Sequence, residues 1–314
     1  MHKRLSSAFS HKLKFLFTLL ISISALMLVG CASNESVALV GEYAKQSAQL
    51  QATLVDVFEE ANTARINAEI AKATRDGATS KDLDIPTINH SGQKALLKSL
   101  QDFSQSIYSL ATDDRGNELD KYSEKLNSSL LSLSAELEQE GIDAKNIELL
   151  STSVNAITRT YTERERYKLL KKVVIDSQPI IQSSFKSLKD ELNSWKTVTK
   201  VSLEKELRIR LSLLNFPNRC AQSDDTRCVT FHHSLEERID AYQKAFELKS
   251  RLNNLDAHFT QIESSLEAIQ SLSVALVQSL ERDDELSKET ALKALNSTKV
   301  QIESLKDFRA KLKD

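Results

Sequence analysis

The strongest constraint on the fold is a spacing. Tyr43, Ser47, Leu50, Leu54, Val57, Ala61, Ala64, Ala68 and Ala71 recur at intervals that alternate four and three. That period turns one face of an α-helix toward a partner helix; a strand, whose faces alternate every two residues, cannot use it. The chain also gives its helices few places to stop, with 6 glycines and 3 prolines in 314 residues. Leu, Lys, Glu, Ala and Gln are abundant helix formers, whereas the many serines and threonines lower intrinsic propensity. Packing of apolar stripes must therefore hold the helices together. The expected fold class is all-α, an elongated antiparallel bundle of long helices with coiled-coil-like packing.

The first helix is expected from about Ser36 to Asp76, ended by Gly77. Bulky seam residues fill its first half and alanines its second, which predicts closer helix approach toward the distal end. Residues 77–93, GATSKDLDIPTINHSGQ, read as the longest loop, either mobile or functional. A second helix, roughly 93–112, carries Leu96, Leu100, Phe103, Ile107 and Leu110 on one face. A third, to about Gln139, carries Leu119, Tyr122, Leu126, Leu130, Leu133 and Leu137. A fourth, N-capped by Asp143, carries Ile147, Leu150, Val154, Ile157 and Tyr161.

Pro179 then interrupts the pattern. Proline is tolerated in a first helical turn but costs about 3 kcal/mol in an interior. A fresh helix capped by Asp176 or Ser177 is the preferred reading, and a kinked continuous helix the alternative. This fifth helix, from about Gln178 to Leu214, presents Ile181, Phe185, Leu188, Leu192 and Trp195, and spans roughly 55 Å. Phe216, Pro217 and Asn218 stop it. Ser234 and Glu237 form a capping box that opens a sixth helix. Its seam reads Leu235, Ile239, Tyr242, Phe246, Leu252, Leu255, Phe259, Ile262, Leu266 and Ile269, slipping near Lys249, and it reaches about Leu280. Leu286, Leu295, Ile302, Leu305 and Leu312 line a last helix. Short turns make consecutive helices antiparallel neighbours. No glycine- or proline-rich linker divides residues 36–314, so one elongated domain is the simplest organisation; helices two and three could instead form a lobe with the first.

The N-terminal stretch sets the compartment. MHKRLSSAFSHKLK carries four basic residues and no acid, and the uncharged residues 15–29 follow. A basic region before an apolar run of this length reads as a secretory signal, short of the roughly 20 residues a spanning helix needs. The run ends in Leu28-Val29-Gly30-Cys31, which resembles the lipobox of bacterial lipoproteins. The resemblance covers residues 1–31 and implies cleavage before Cys31, a diacylglyceryl group on its thiol and an acylated amine. Two or three acyl chains hold a protein on a membrane stably. Ala32 and Ser33 follow the cysteine in place of the aspartate that favours inner-membrane retention, so the resemblance implies an outer-membrane destination. Residues 31–35 would then be a short tether.

Losing residues 1–30 leaves 38 basic and 44 acidic residues, a net charge of −6 with neutral histidines. A mildly acidic rod has no broad electrostatic reason to bind nucleic acid. Cys220 and Cys228, in an exported chain whose third cysteine carries lipid, are expected to form a disulfide. Closing a nine-residue segment contributes at most about 2.6 kcal/mol by loop entropy and would staple two long helices where they turn. His232 and His233 lie close by, but adjacent histidines point apart and oxidation would consume both thiolates, so no metal site is expected. The acidic pairs Asp113-Asp114, Asp224-Asp225 and Asp283-Asp284 lack the ligand number that calcium needs and read as solvated turns. Arg159, Arg164, Arg166, Lys168, Lys171 and Lys172 are diluted by Glu163 and Glu165 and read as a solvated face.

No G-x-S-x-G, H-E-x-x-H or glycine-rich phosphate loop occurs, and His90 and His258 stand singly. No catalytic residue and no cofactor are expected. The leading expectation is a non-enzymatic envelope lipoprotein, attached to the membrane through Cys31, whose rod scaffolds or binds an envelope protein along a helix face or at its tip. Two rivals stand beside it. An inhibitory or immunity lipoprotein would block a toxin, phage factor or hydrolase with the hairpin bearing Cys220 and Cys228 or with the 77–93 loop. An envelope enzyme would need an interhelical pocket.

Overall fold

The computed structural model describes residues 6–77, 84–85, 91–112, 128, 163–215, 218–219, 229–230 and 234–313, with side chains from Glu35 onward. These residues form helices α1 (Ser6–Asp76), α2 (Ser91–Ala111), α3 (Glu163–Asn215), α4 (Leu235–Arg282) and α5 (Glu285–Lys313). A two-residue antiparallel ribbon, β1 (Asn218–Arg219) and β2 (Val229–Thr230), joins α3 to α4. The protein is all-α, built from helices packed against one another. The third and fourth helices expected between 113 and 162, with their seams, lie outside the described residues, as does most of the 77–93 loop.

All nine seam residues of α1, from Tyr43 to Ala71, are buried. The α2 face of Leu96, Leu100, Phe103, Ile107 and Leu110 is buried as well, and so is the α3 face from Ile181 to Trp195. α1 begins earlier than expected: it is already helical at Ser6, so residues 31–35 lie within it. It ends where expected, at Asp76, followed by Gly77 with φ of 69°. That left-handed conformation suits glycine and stops the helix.

Cross-helix pairs fix the register. α1 and α2 run antiparallel, with Gln51 Nε2 donating to Ser104 Oγ at 3.2 Å. Nearer the base, Gly41 is so close to α2 that an added Cβ would sit 3.2 Å from that of Ala111. α3 runs parallel to α1: Phe58 packs on Trp195 at 4.4 Å, and Lys205 pairs with Glu69 at 2.7 Å. α4 returns along α3, with Lys196 on Asp256 at 2.6 Å and Gln182 Nε2 donating to the Gln270 carbonyl at 3.0 Å. α5 rises again between α4 and α1: Thr298 Oγ1 donates to the Ala268 carbonyl at 3.1 Å, and Lys299 pairs with Glu42 at 2.7 Å. Near the base, Tyr43, Ser47, Gln51, Ser104 and Ser273 form a polar layer through the core. Buried polar contacts of this kind specify register, since a slipped helix leaves more of them unpaired.

Three expectations are corrected. First, α3 does not restart at Pro179; it is one helix of 53 residues, about 80 Å long, with the proline inside it. Pro179 itself is exposed, directly before the buried Ile180 and two residues after the buried Ser177. Neither proposed cap acts as one. Asp176 pairs with Lys172 at 2.5 Å, and Ser177 Oγ donates back to the Val174 carbonyl at 3.2 Å.

Second, the α4 seam does not slip at Lys249. The buried line runs through Ala245 and Leu248, then past the half-buried Leu252 to Leu255, Phe259, Ile262, Leu266 and Ile269, alternating three and four throughout. Leu235 and Phe246 are each 75% exposed, Ile239 48% and Tyr242 43%. The six residues from Phe246 to Leu252 fall about 120° short of two full turns, which rotates this second stripe off the core. Third, Leu286 is 74% exposed, and the α5 seam begins instead at Ala291, followed by Leu295, Thr298, Ile302, Leu305 and Arg309.

Helix ends are specified locally. Ser234 Oγ accepts from the Glu237 N–H at 3.2 Å, and Glu237 Oε2 accepts from the Ser234 N–H at 2.8 Å, completing the expected capping box. Asp283 and Asp284, expected as solvated turn residues, do more than face water. Asp283 closes α4 in the left-handed conformation (φ 53°) and pairs with Lys288 at 2.8 Å. Asp284 Oδ1 accepts from the Ser287 N–H at 2.7 Å and opens α5.

Candidate functional site

A cleft of about 530 Å³ opens where the last turns of α5 meet α1 and α4, with α3 as its floor. Its convergent polar groups are Asp56 and Glu60 from α1, Arg251 and His258 from α4, and Arg309 from α5. Arg309 arrives there because it occupies the position of the α5 seam that follows Leu305 by four. Its side chain is only 8% exposed. Nη1 donates to the Thr53 carbonyl at 2.8 Å, and Nη2 reaches Glu60 Oε1 at 2.5 Å and Asp56 Oδ2 at 3.4 Å. The guanidinium thus clamps α5 to α1 through three acceptors one turn apart, which a planar five-donor group is suited to do.

His258 lies across from it. The ring is 5% exposed, stacks on Phe308 at 5.8 Å and meets Phe259 edge-on at the same distance. Its Nε2 has no hydrogen-bond partner. Burial, reinforced by the charges of Arg309 and Arg251, pushes its pKa down to about 4. The imidazole is therefore neutral at physiological pH. A buried neutral ring with an unpaired nitrogen can accept or donate one hydrogen bond to something in the cleft, but among the described residues no serine or carboxylate is bonded to it as a triad would require.

Among the described residues, no group of three or more His, Cys, Asp or Glu side chains is placed to hold a metal ion. Among the residues whose side chains are described, no helix is long and apolar enough to cross a membrane. The residues singled out in the sequence are dispersed. Cys31 lies on the α1 backbone far from the cleft. Cys220 and Cys228 lie outside the described residues, next in sequence to β1 and β2, and His232 and His233 lie outside them too. Of the basic run, Lys168 is exposed and Lys172 is paired with Asp176, which suits a solvated face.

Sequence reasoning passed over Arg309 and set His258 aside as a single histidine. Arg309 had a findable signal, a cation at a heptad position where an aliphatic residue is expected. His258 follows Leu255 by three and precedes Ile262 by four, so its burial was open to the same spacing, but the lack of a partner for its ring nitrogen was not. No protein-family model matches this chain, and no curated protein or solved structure is similar to it.

Proposed function

We propose that this protein is a lipid-anchored, non-enzymatic arm of a bacterial cell envelope that holds a protein partner away from the membrane. The observation that carries this reading is Leu28-Val29-Gly30-Cys31 at the end of a basic, apolar leader. The bundle's register supports it. α1 leads from the Cys31 end toward the ribbon end of α3, so an acylated Cys31 and the ribbon would lie at opposite ends of the rod. A membrane at one end leaves the other about 60 Å away, counting 1.5 Å per residue along α1 from Ser36 to Asp76. By the residues after the cysteine, the membrane is the outer one.

The ribbon end is stapled by a disulfide between Cys220 and Cys228 in this proposal. Asn218 pairs with Thr230 and Arg219 with Val229. One further step in that register is Cys220 with Cys228. Directly opposed residues of an antiparallel pair have Cα atoms about 4.5–5.5 Å apart, within the 4.4–6.8 Å that a disulfide accepts.

Cys31→Ser tests the anchor. The variant is expected in the soluble fraction of lysed cells while the unaltered protein sediments with membranes. Membrane fractionation of the variant at the unaltered level would overturn the reading. Thiol labelling of exported protein tests the staple, which free thiols at both positions would remove. Crosslinking in the intact envelope then identifies the partner.

A further inference from the structure

The second stripe of α4 lies outside the buried core, and it meets α3 through Tyr242 Oη, which donates to Asn215 Oδ1 at 3.4 Å. Leu235, Ile239, Tyr242 and Phe246 repeat at four, three and four, the spacing of a helix-packing seam, yet all four are exposed. The true intramolecular seam passes behind them through Ala245 and Leu248. They lie at the distal end of the rod, where the bundle has thinned. The pairings of Thr298 with Ala268 and Ser265 with Gln301 place the end of α5, at Lys313, beside Asn253. Beyond that level α4 packs on α3 and the last turns of α1, through Ala64, Leu203 and Leu248.

We propose that the stripe pairs antiparallel, about a two-fold axis, with the same stripe on a second copy of this chain. The spacing calls for a helix, and the charges choose its identity and direction. Residues 235–241 carry Glu236, Glu237 and Asp240 against Arg238, a net charge of −2. Residues 242–246 carry Lys244 alone, a net charge of +1, and with Phe246 set against Leu235 this lysine faces Glu237. Antiparallel pairing sets each acidic half against a basic half, whereas parallel pairing opposes like charges. It also sets Phe246 against Leu235 and Tyr242 against Ile239, an aromatic on an aliphatic each time. The four side chains present roughly 400–500 Å² of apolar surface, about half the ~800 Å² per partner of a standard interface. The pair is therefore weak and reversible, in the micromolar range. This inference stands on α4 alone and is independent of the lipid.

Analytical ultracentrifugation of the full chain, extracted in a non-denaturing detergent, tests it. The unaltered chain is expected to show a concentration-dependent monomer–dimer equilibrium. Phe246→Gln and Leu235→Gln, at positions exposed enough to leave the fold intact by circular dichroism, are each expected to weaken it about tenfold. Glu236→Lys with Asp240→Lys should weaken it, as should Lys244→Glu, and the three changes together should restore it. A monomer at every concentration overturns the proposal. A dimer indifferent to Phe246→Gln overturns the site, and charge variants that all behave alike overturn the antiparallel direction.

Discussion

A neutral imidazole between Phe308 and Phe259 ties stability to pH in a known direction. The folded pKa of His258, about 4, lies below the roughly 6.5 of a free histidine. Above pH 6.5 both states hold it neutral and nothing is lost. As pH falls from 6.5 toward 4 the unfolded chain takes the proton first, and stability drops by up to about 3 kcal/mol. His258→Phe is expected to flatten the pH dependence of the melting temperature between pH 7 and 4.5. Parallel curves for the two proteins would show that other groups carry the acid sensitivity. Arg309 is the leading charge acting on the ring, after burial, so Arg309→Met should raise the His258 pKa in an NMR titration. The two residues differ in how visible they were beforehand. A cation on a heptad position can be spotted in the sequence; an unpaired ring nitrogen depends on which neighbours three other helices bring to it, and no local pattern encodes that.

At the scale of elements, Pro179 separates what propensity can decide from what packing decides. The reading that starts a helix there charges the proline its full interior cost. In the fold that cost is reduced because the proline faces solvent, while Ile180 and Ile181 beside it are buried at the positions a continuous helix requires. Pro179→Ala restores a backbone donor to an intact helix and should stabilise the protein by about 1–2 kcal/mol, measured by chemical denaturation. A destabilised variant would mean that the fold depends on the proline where it stands. The α4 seam teaches a related lesson. Two lines compete near its start, the buried Ala245 and Leu248 and the larger side chains of the exposed stripe, and hydrophobicity favours the wrong one. The smaller line wins the interior because Leu248 packs there with Ala64 of α1 and Leu203 of α3. The α1 seam was legible because no second stripe competed with it.

On the scale of the whole molecule, the proposed anchor and the proposed pairing make a joint demand. Antiparallel pairing of α4 inverts one rod relative to the other, so two N-terminal ends, each about 60 Å from the stripe, lie roughly 120 Å apart. Lipids on Cys31 of both copies would then sit in facing leaflets, not side by side in one. A pair that is weak in solution becomes effective there, because two surfaces holding many copies engage many contacts at once. Vesicles carrying the acylated chain should cluster, with dynamic light scattering reporting growth that rises with surface density. Vesicles carrying Phe246→Gln at equal density should stay dispersed, and a soluble Cys31→Ser chain added in excess should break clusters apart by occupying the stripes. If the chain dimerises in detergent yet its vesicles stay dispersed at every density, pairing and anchoring do not act together as a tether. Dispersal by the soluble chain but not by its Phe246→Gln form would trace the clustering to α4 and not to the lipid.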